Sequence, residues 1–405
     1  MTTNDAAGQL VDWDLAAKTA TRLAGSGPVV TEDEAHQTVA DLREFAAEAE
    51  GHVRAVTGLD GSSASAPLAV VDREGWIRAN TDSLRTVVAP LIAKVQKARE
   101  GKEGGPLDFI GPKATGLETG VFLAFIAGRV LGQFDPFWAG EPGQSAQPEP
   151  AGDDADVSPA RGARDASQTS DVGPIVVSGA GSAVVPSAQS LGRLLLVAPN
   201  IVHVERELQV EPRDFRLWVC LHEETHRVQF TAVPWLREHL QDEIRSFVSA
   251  SQLDSKALVA NLREVVEALV RAVRGQRDTT SLLDLLQTPE QKAVVQRVTA
   301  LMSLLEGHAD VVMDRVGPEV VPSVETIRRR FQRRRKGSGV DRGVRKVLGF
   351  EAKMRQYRDG AKFVNAVIDR VGMEGFNRIW ESPQTLPSSA EIADPDAWVK
   401  RVHGM

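Results

Sequence analysis

The chain has 405 residues, of which 42% are hydrophobic and 25% charged, and a formal net charge of −7. That length allows two or three domains with at least one sizeable core, and the acidic balance argues against wholesale binding to nucleic acid. Cys220 is the only cysteine, which excludes an internal disulfide and fits a reducing cytoplasm, the expected location, or a secreted protein that does without bridges.

The N-terminus, MTTNDAAGQLVDWDLAAKTA, has no basic start followed by an apolar run, so no signal peptide is expected. Residues 8–57 carry Ala, Leu and Val at helical spacing, and Thr31 before Glu32, Asp33 and Glu34 predicts a capped helix start. "PLAVVDREGWIRAN", 67–80, reads as a short strand, a turn at Gly75 and a second short piece; residues 81–99 return to helical periodicity. "TGVFLAFIAGRVLGQFDPF", 119–137, is the best candidate for a membrane span, but it is short and carries Arg129 and Gln133. A buried amphipathic helix is expected there, and no membrane partner. Residues 1–138 are thus expected to form one mostly helical region.

At 139–174 the composition shifts to Gly, Pro, Ser, Ala and Asp, with almost no large apolar side chains. Such a segment cannot bury enough surface to offset its ordering entropy and reads as a disordered linker or insertion. In the region that follows, 175–405, "GRLLLVAPNIVHVEREL" (192–208) has the β-branched character of one or two strands, and from 212 onward nearly everything is helical. The fold class expected is mainly α, with a small β element ahead of the most informative helix.

That helix opens with Pro212 and Asp214, proline and an acid in the first turn, and must end before Pro234. At 100° per residue, Phe215, Trp218, Val219, His222, His226 and Gln229 share an apolar face that points inward, while Arg213, Arg216, Glu224 and Arg227 lie opposite. Within "CLHEETHRVQF", 220–230, two imidazoles one turn apart have the reach to chelate one Zn2+, and Glu223, rotated away from them, flanks the site as a general base. A surface helix with two solvated histidines is the competing reading; the apolar face counts against it, because buried imidazoles need partners. Cys220 falls away from the histidines and receives no chemistry.

A catalytic zinc needs a third protein ligand and an open position. The extended H-E-x-x-H-x-x-G-x-x-H form is excluded, since positions 229 and 232 hold Gln229 and Ala232. The best source is "LLEGHADVVMD", 304–314, on a helix started by the capping-box pattern of Thr288, Pro289 and Gln291. Glu306 and Asp310 are one turn apart on the side of Met302 and Met313, and His308 points away. Carboxylates on an apolar face are costly unless neutralised; Glu306 as the metal ligand would resolve that cost, with Asp310 as an acceptor for a ligating imidazole N–H, and an ordinary helix with partly exposed acids is the competing reading. His308 is the alternative third ligand.

"LHEETHRVQFTAVPWL", "LLEGHADVVMD" and "KMRQYRDGAKFVNAV…FNRIWESPQTLP" together resemble an actinobacterial family of zincin-like metallopeptidases, some labelled as associated with biosynthesis of a deazaflavin coenzyme. The resemblance covers most of the chain and is strongest from about 190 to 400; the segment 139–174 departs from it. It implies a zincin-like fold and a gluzincin-like site with His222, His226 and Glu306 on zinc and Glu223 as base. It also suggests that Tyr357, the only tyrosine, hydrogen-bonds the oxyanion, although a packing role suits an aromatic residue equally. "RRRFQRRRK", 328–336, is one basic block in an acidic chain and reads as a solvated helix end rather than a nucleic-acid site. The function expected is zinc-dependent hydrolysis of peptide or related amide bonds in a peptide or protein substrate; the alternative is a zincin-fold binding or scaffold protein that cleaves nothing.

Overall fold

The computed structural model describes residues 10–60, 66–99, 107–138, 140, 192–250, 288–336 and 350–404; the segment read as a linker, 139–174, lies outside them apart from Gly140. Three short strands, β1 (Leu68–Val71), β2 (Gly132–Asp135) and β3 (Arg193–Val197), form one sheet in the order β1–β3–β2. β1 runs parallel to β3 and β2 antiparallel to it, so strands from both sides of 139–174 share the sheet. The apolar run in β3 reflects burial on both faces. Leu194 and Leu196 point into one hydrophobic cluster, and Leu195 and Val197 into another.

The smaller cluster is closed by α1 (Trp13–Ala24), α3 (Arg73–Arg99) and α4 (Leu107–Ala127), through Ala20, Trp76, Ile77 and Leu123. The larger one gathers α2 (Glu32–Thr57), α5 (Ala198–Leu208), α6 (Pro212–Ala232), α7 (Pro234–Ala250), α8 (Pro289–Val316), α9 (Val324–Lys336) and α10 (Phe350–Asn377). Two 3-10 turns, Arg378–Trp380 and Pro383–Thr385, lead to α11 (Ser389–Ala393) and α12 (Pro395–His403), whose fully buried Trp398 closes the same core. The architecture is mainly α with a small sheet, as expected. Among the described residues no helix is long and apolar enough to cross a membrane.

Three local expectations are corrected. Gly75 is not a turn but part of the first turn of α3, which Asp72 opens by accepting the Gly75 N–H at 2.7 Å. The run 119–137 is not one helix: α4 stops at Ala127, and Gly132–Asp135 is the edge strand β2. After β3 there is no second strand, because Ile201, Val204 and Leu208 repeat at helical spacing behind Pro199, and they bury one face of α5.

The packing of α8 on α10 depends on two missing side chains. A Cβ on Gly360 would strike the Ser303 carbonyl, and one on Gly307 would strike the Gly360 backbone, so the two helices cross backbone to backbone. Glu306 stands beside that crossing. Gly307→Ala and Gly360→Ala are each expected to destabilise the protein by about 1–3 kcal/mol through overpacking, read as a lower urea midpoint; an unchanged midpoint for both would contradict the close approach.

Candidate metal centre

α6 forms as its sequence predicts. Glu211 caps it by accepting the Arg213 N–H, Pro212 sits in the first turn, and Val233 ends it before Pro234. The expected division into an inward histidine face and an opposite charged face is corrected, because Arg216, Glu224 and Arg227 are buried too and only Arg213 of that face is exposed. Arg216 donates to both carboxylate oxygens of Glu205 at 3.0 and 2.8 Å and to Asp41 at 2.7 Å. Arg227 donates to Glu224 and Glu50, each at 2.6 Å, and to the Ala66 carbonyl at 3.0 Å. These pairs bind α6 to α2 and α5, and they turn the opposite face toward a cleft.

On that face His222 Nε2 lies 3.6 Å from one oxygen of Glu306, and His226 Nε2 lies 3.9 Å from the other. The rings stand nearly perpendicular, with centroids 4.8 Å apart. One donor atom from each of the three residues falls within 4.8 Å of the others. Donors bound to one Zn2+ at about 2.0–2.1 Å stand about 3.3 Å apart along a tetrahedron's edge. The observed set is wider than that and fits the ion in number, charge and donor type. The three side chains are only 27%, 13% and 24% exposed, in the order His222, His226, Glu306.

Two clefts meet there. One, of about 400 Å3, is bordered by Trp218, His222, Glu223, Asp310, Arg328 and Phe331. The other, of about 310 Å3, is more apolar and is bordered by Phe134, Phe137, Phe230, Leu240, Met302 and Glu306. His222 and Glu223 belong to both. Glu223 is buried, and burial holds its carboxyl well above the usual range, with Glu306 and then Glu224 adding repulsion. β2 leans directly on it: a Cβ on Gly132 would stand 2.5 Å from Glu223 Cγ and 2.9 Å from Oε1.

His308 is not in the cluster. It is fully buried, stacked on Phe376 and edge-on to Trp380, and its Nδ1 lies 2.9 Å from Gln229 Nε2. Gln229 was not assigned a role from sequence, although its place on the histidine face was legible. Its Oε1 lies 3.0 Å from His226 Nδ1. Asp310 is exposed and borders the cleft beside His222, and its carbonyl accepts from Arg328. Tyr357 belongs to the first half of α10, and its side chain lies outside the described residues. The basic run makes specific contacts: Arg328 pairs with Asp314, Arg330 donates to the Leu208 and Gln209 carbonyls, Arg334 pairs with Glu207, and Phe331 packs edge-on against Trp218.

A family model described as "Zincin-like metallopeptidase" matches residues 11–399. A crystal structure from Chloroflexus aurantiacus, provisionally described as a hydrolase with a novel fold, is similar at 26% identity and a TM-score of 0.62. The match covers 98% of this chain and 100% of that one. No curated protein matches the chain.

Burial holds the His308 imidazolium form far down, to about 3 from the ordinary 6.5, and nearby His226 adds to it. The folded protein therefore refuses a proton that the unfolded chain accepts. The resulting stability is complete above about 6.5 and is lost as pH falls toward 3, at up to about 1.4 kcal/mol per pH unit. Between pH 7 and pH 5 this loss opposes the stability that the raised carboxyls of Glu223 and Glu224 gain on protonation. In urea unfolding of the metal-free protein, the midpoint of His308→Leu should therefore change more favourably from pH 7 to pH 5 than that of the wild type, and an equal change in both would contradict the buried neutral ring.

Proposed function

The chain belongs to the zincin-like metallopeptidase family, and from that premise we propose that it is a zinc-dependent hydrolase of peptide or related amide bonds. The observation that carries the reading is the convergence of His222, His226 and Glu306, with Glu223 buried beside them. Those three residues would hold the ion. Bound zinc supplies a Lewis acid that polarises the scissile carbonyl and makes water acidic enough to attack near neutral pH.

Glu223 takes the proton of the attacking water on its carboxylate and passes it to the leaving amine nitrogen. Its burial and its negative neighbours support this, since they raise its proton affinity well above that of an ordinary carboxylate. Asp310, bordering the same cleft as His222, is assigned to orient that ring. Tyr357 is assigned to the oxyanion. The substrate lies across the two clefts. β2 is at the end of the sheet, and its Gly132, Gln133 and Phe134 border the apolar cleft, where an extended peptide can add along the strand.

Protein purified without added metal should carry close to one zinc per chain, lost in the double variant His222→Ala, His226→Ala. Glu223→Gln should keep the zinc and lose at least about a hundredfold in hydrolysis across a peptide library; full activity in that variant would refute the base assignment. A zinc-loaded wild type that cleaves nothing in the library would point instead to a binding protein. Gly132→Ala should displace Glu223, lowering turnover about tenfold or more while zinc content stays unchanged. Wild-type turnover would show that the contact with β2 is dispensable.

A further inference from the structure

Gln229 lies close to one turn beyond His226, fully buried, with both ends of its amide engaged. One end is 3.0 Å from His226 Nδ1; the other is 3.0 Å from the Leu305 carbonyl oxygen and 2.9 Å from His308 Nδ1. Distances alone leave the amide free to be turned over, but a backbone carbonyl can only accept. The end facing Leu305 must therefore be the NH2, and the end facing His226 must be the oxygen. His226 Nδ1 then carries a hydrogen, which it donates. The second amide hydrogen points at His308 Nδ1, which must accept it. His308 consequently keeps its own hydrogen on Nε2, which has no hydrogen-bond partner among the described residues and lies beside Phe376 and Trp380.

We propose that Gln229 is a positioning residue that locks His226 in the Nδ1–H tautomer and aims its Nε2 lone pair at Glu306. This rests on the reading of His222, His226 and Glu306 as metal donors. With the hydrogen committed to Gln229, His226 Nε2 and a Glu306 oxygen face each other at 3.9 Å as two acceptors. A cation between them, or a water donating to both, satisfies that arrangement, so the neutral ring presents its Nε2 lone pair ready for a metal. The same amide ties α6 to Leu305, the residue before Glu306, so one side chain fixes both the ring and the register of the helix that supplies the carboxylate.

The test begins with wild-type protein, metal-free, labelled with 15N-histidine and held at pH 8. Two-bond nitrogen–proton NMR correlations should show His226 as Nδ1–H and His308 as Nε2–H. The opposite tautomer at either ring would overturn the proposal. Gln229→Met, which keeps the volume and removes the acceptor, should let the Nε2–H form of His226 appear and weaken zinc binding 10- to 100-fold by competition with a fluorescent chelator. A folded variant binding zinc within twofold of wild type would also overturn it. If the variant fails to fold, the wild-type tautomers alone decide. A wild type that binds no zinc would defeat the metallopeptidase reading while leaving the tautomers to settle the role of Gln229.

Discussion

A helix with polar groups on every side runs through the interior of this protein, and the placing of its neighbours follows from the need to satisfy it. Buried charges are tolerated only when paired and hydrogen-bonded. Toward α2 and α5, Arg216 and Arg227 meet Glu205, Asp41 and Glu50, which lie 11, 175 and 177 residues away in sequence. Removing one partner of such a pair leaves a buried charge without compensation, at about 3–5 kcal/mol. Toward α8, Gln229 meets a backbone carbonyl and an imidazole. The remaining side turns His222 and His226 to Glu306. The candidate metal cluster is therefore one of three polar contacts that α6 makes, and the other two keep its histidines from turning back into the core.

The electrostatics of the open side follow from that packing. Glu223 and Glu306 are negative neighbours in a confined space, and Glu224 stands just behind them with its own carboxyl raised to about 7, by burial first and against the pull of Arg227. Crowded carboxylates either keep a proton or gather a cation. The short strand β2 adds the steric half of the argument, since a glycine at 132 lets the backbone come close enough to pin Glu223. Charge and shape thus converge on one carboxylate, which neither contributes to the donor cluster nor points away from it.

Much of this was legible in the chain itself, for physical reasons that can be named. The helix carrying "HEETH" announces itself through local signals: proline and an acid at its start, apolar spacing of 3–4, and two imidazoles one turn apart. Glu306 stands out by cost, as a carboxylate with no reason to lie on an apolar face, and the fold brings it to the two histidines. The capping box at Thr288 and Gln291 forms as read. What escaped was tertiary. The β-branched run after β3 reads as strand until Pro199 and the spacing of Ile201, Val204 and Leu208 are weighed against it. Arg216 and Arg227 read only as the face opposite the histidines, because nothing near them in sequence reveals Asp41 or Glu50. Gln229 reads as a member of the histidine face and as the residue that breaks the extended motif, and its partners Leu305 and His308 are 76 and 79 residues away.

The openness of the cluster bears on which kind of metal site it fits. A structural zinc site is closed by four protein ligands, whereas a catalytic one keeps a position for water or substrate. Here the candidate cluster among the described residues holds three donors, and none of the three is sealed from solvent. The two clefts that reach it differ in character, one bordered by ion-paired residues such as Arg328, the other by Phe134, Phe137 and Phe230. A chain lying across both would place unlike groups on either side of the bond nearest Glu223. That asymmetry gives the site a direction, and direction is what a hydrolase needs if its base is to meet the attacking water on one side and the leaving nitrogen on the other.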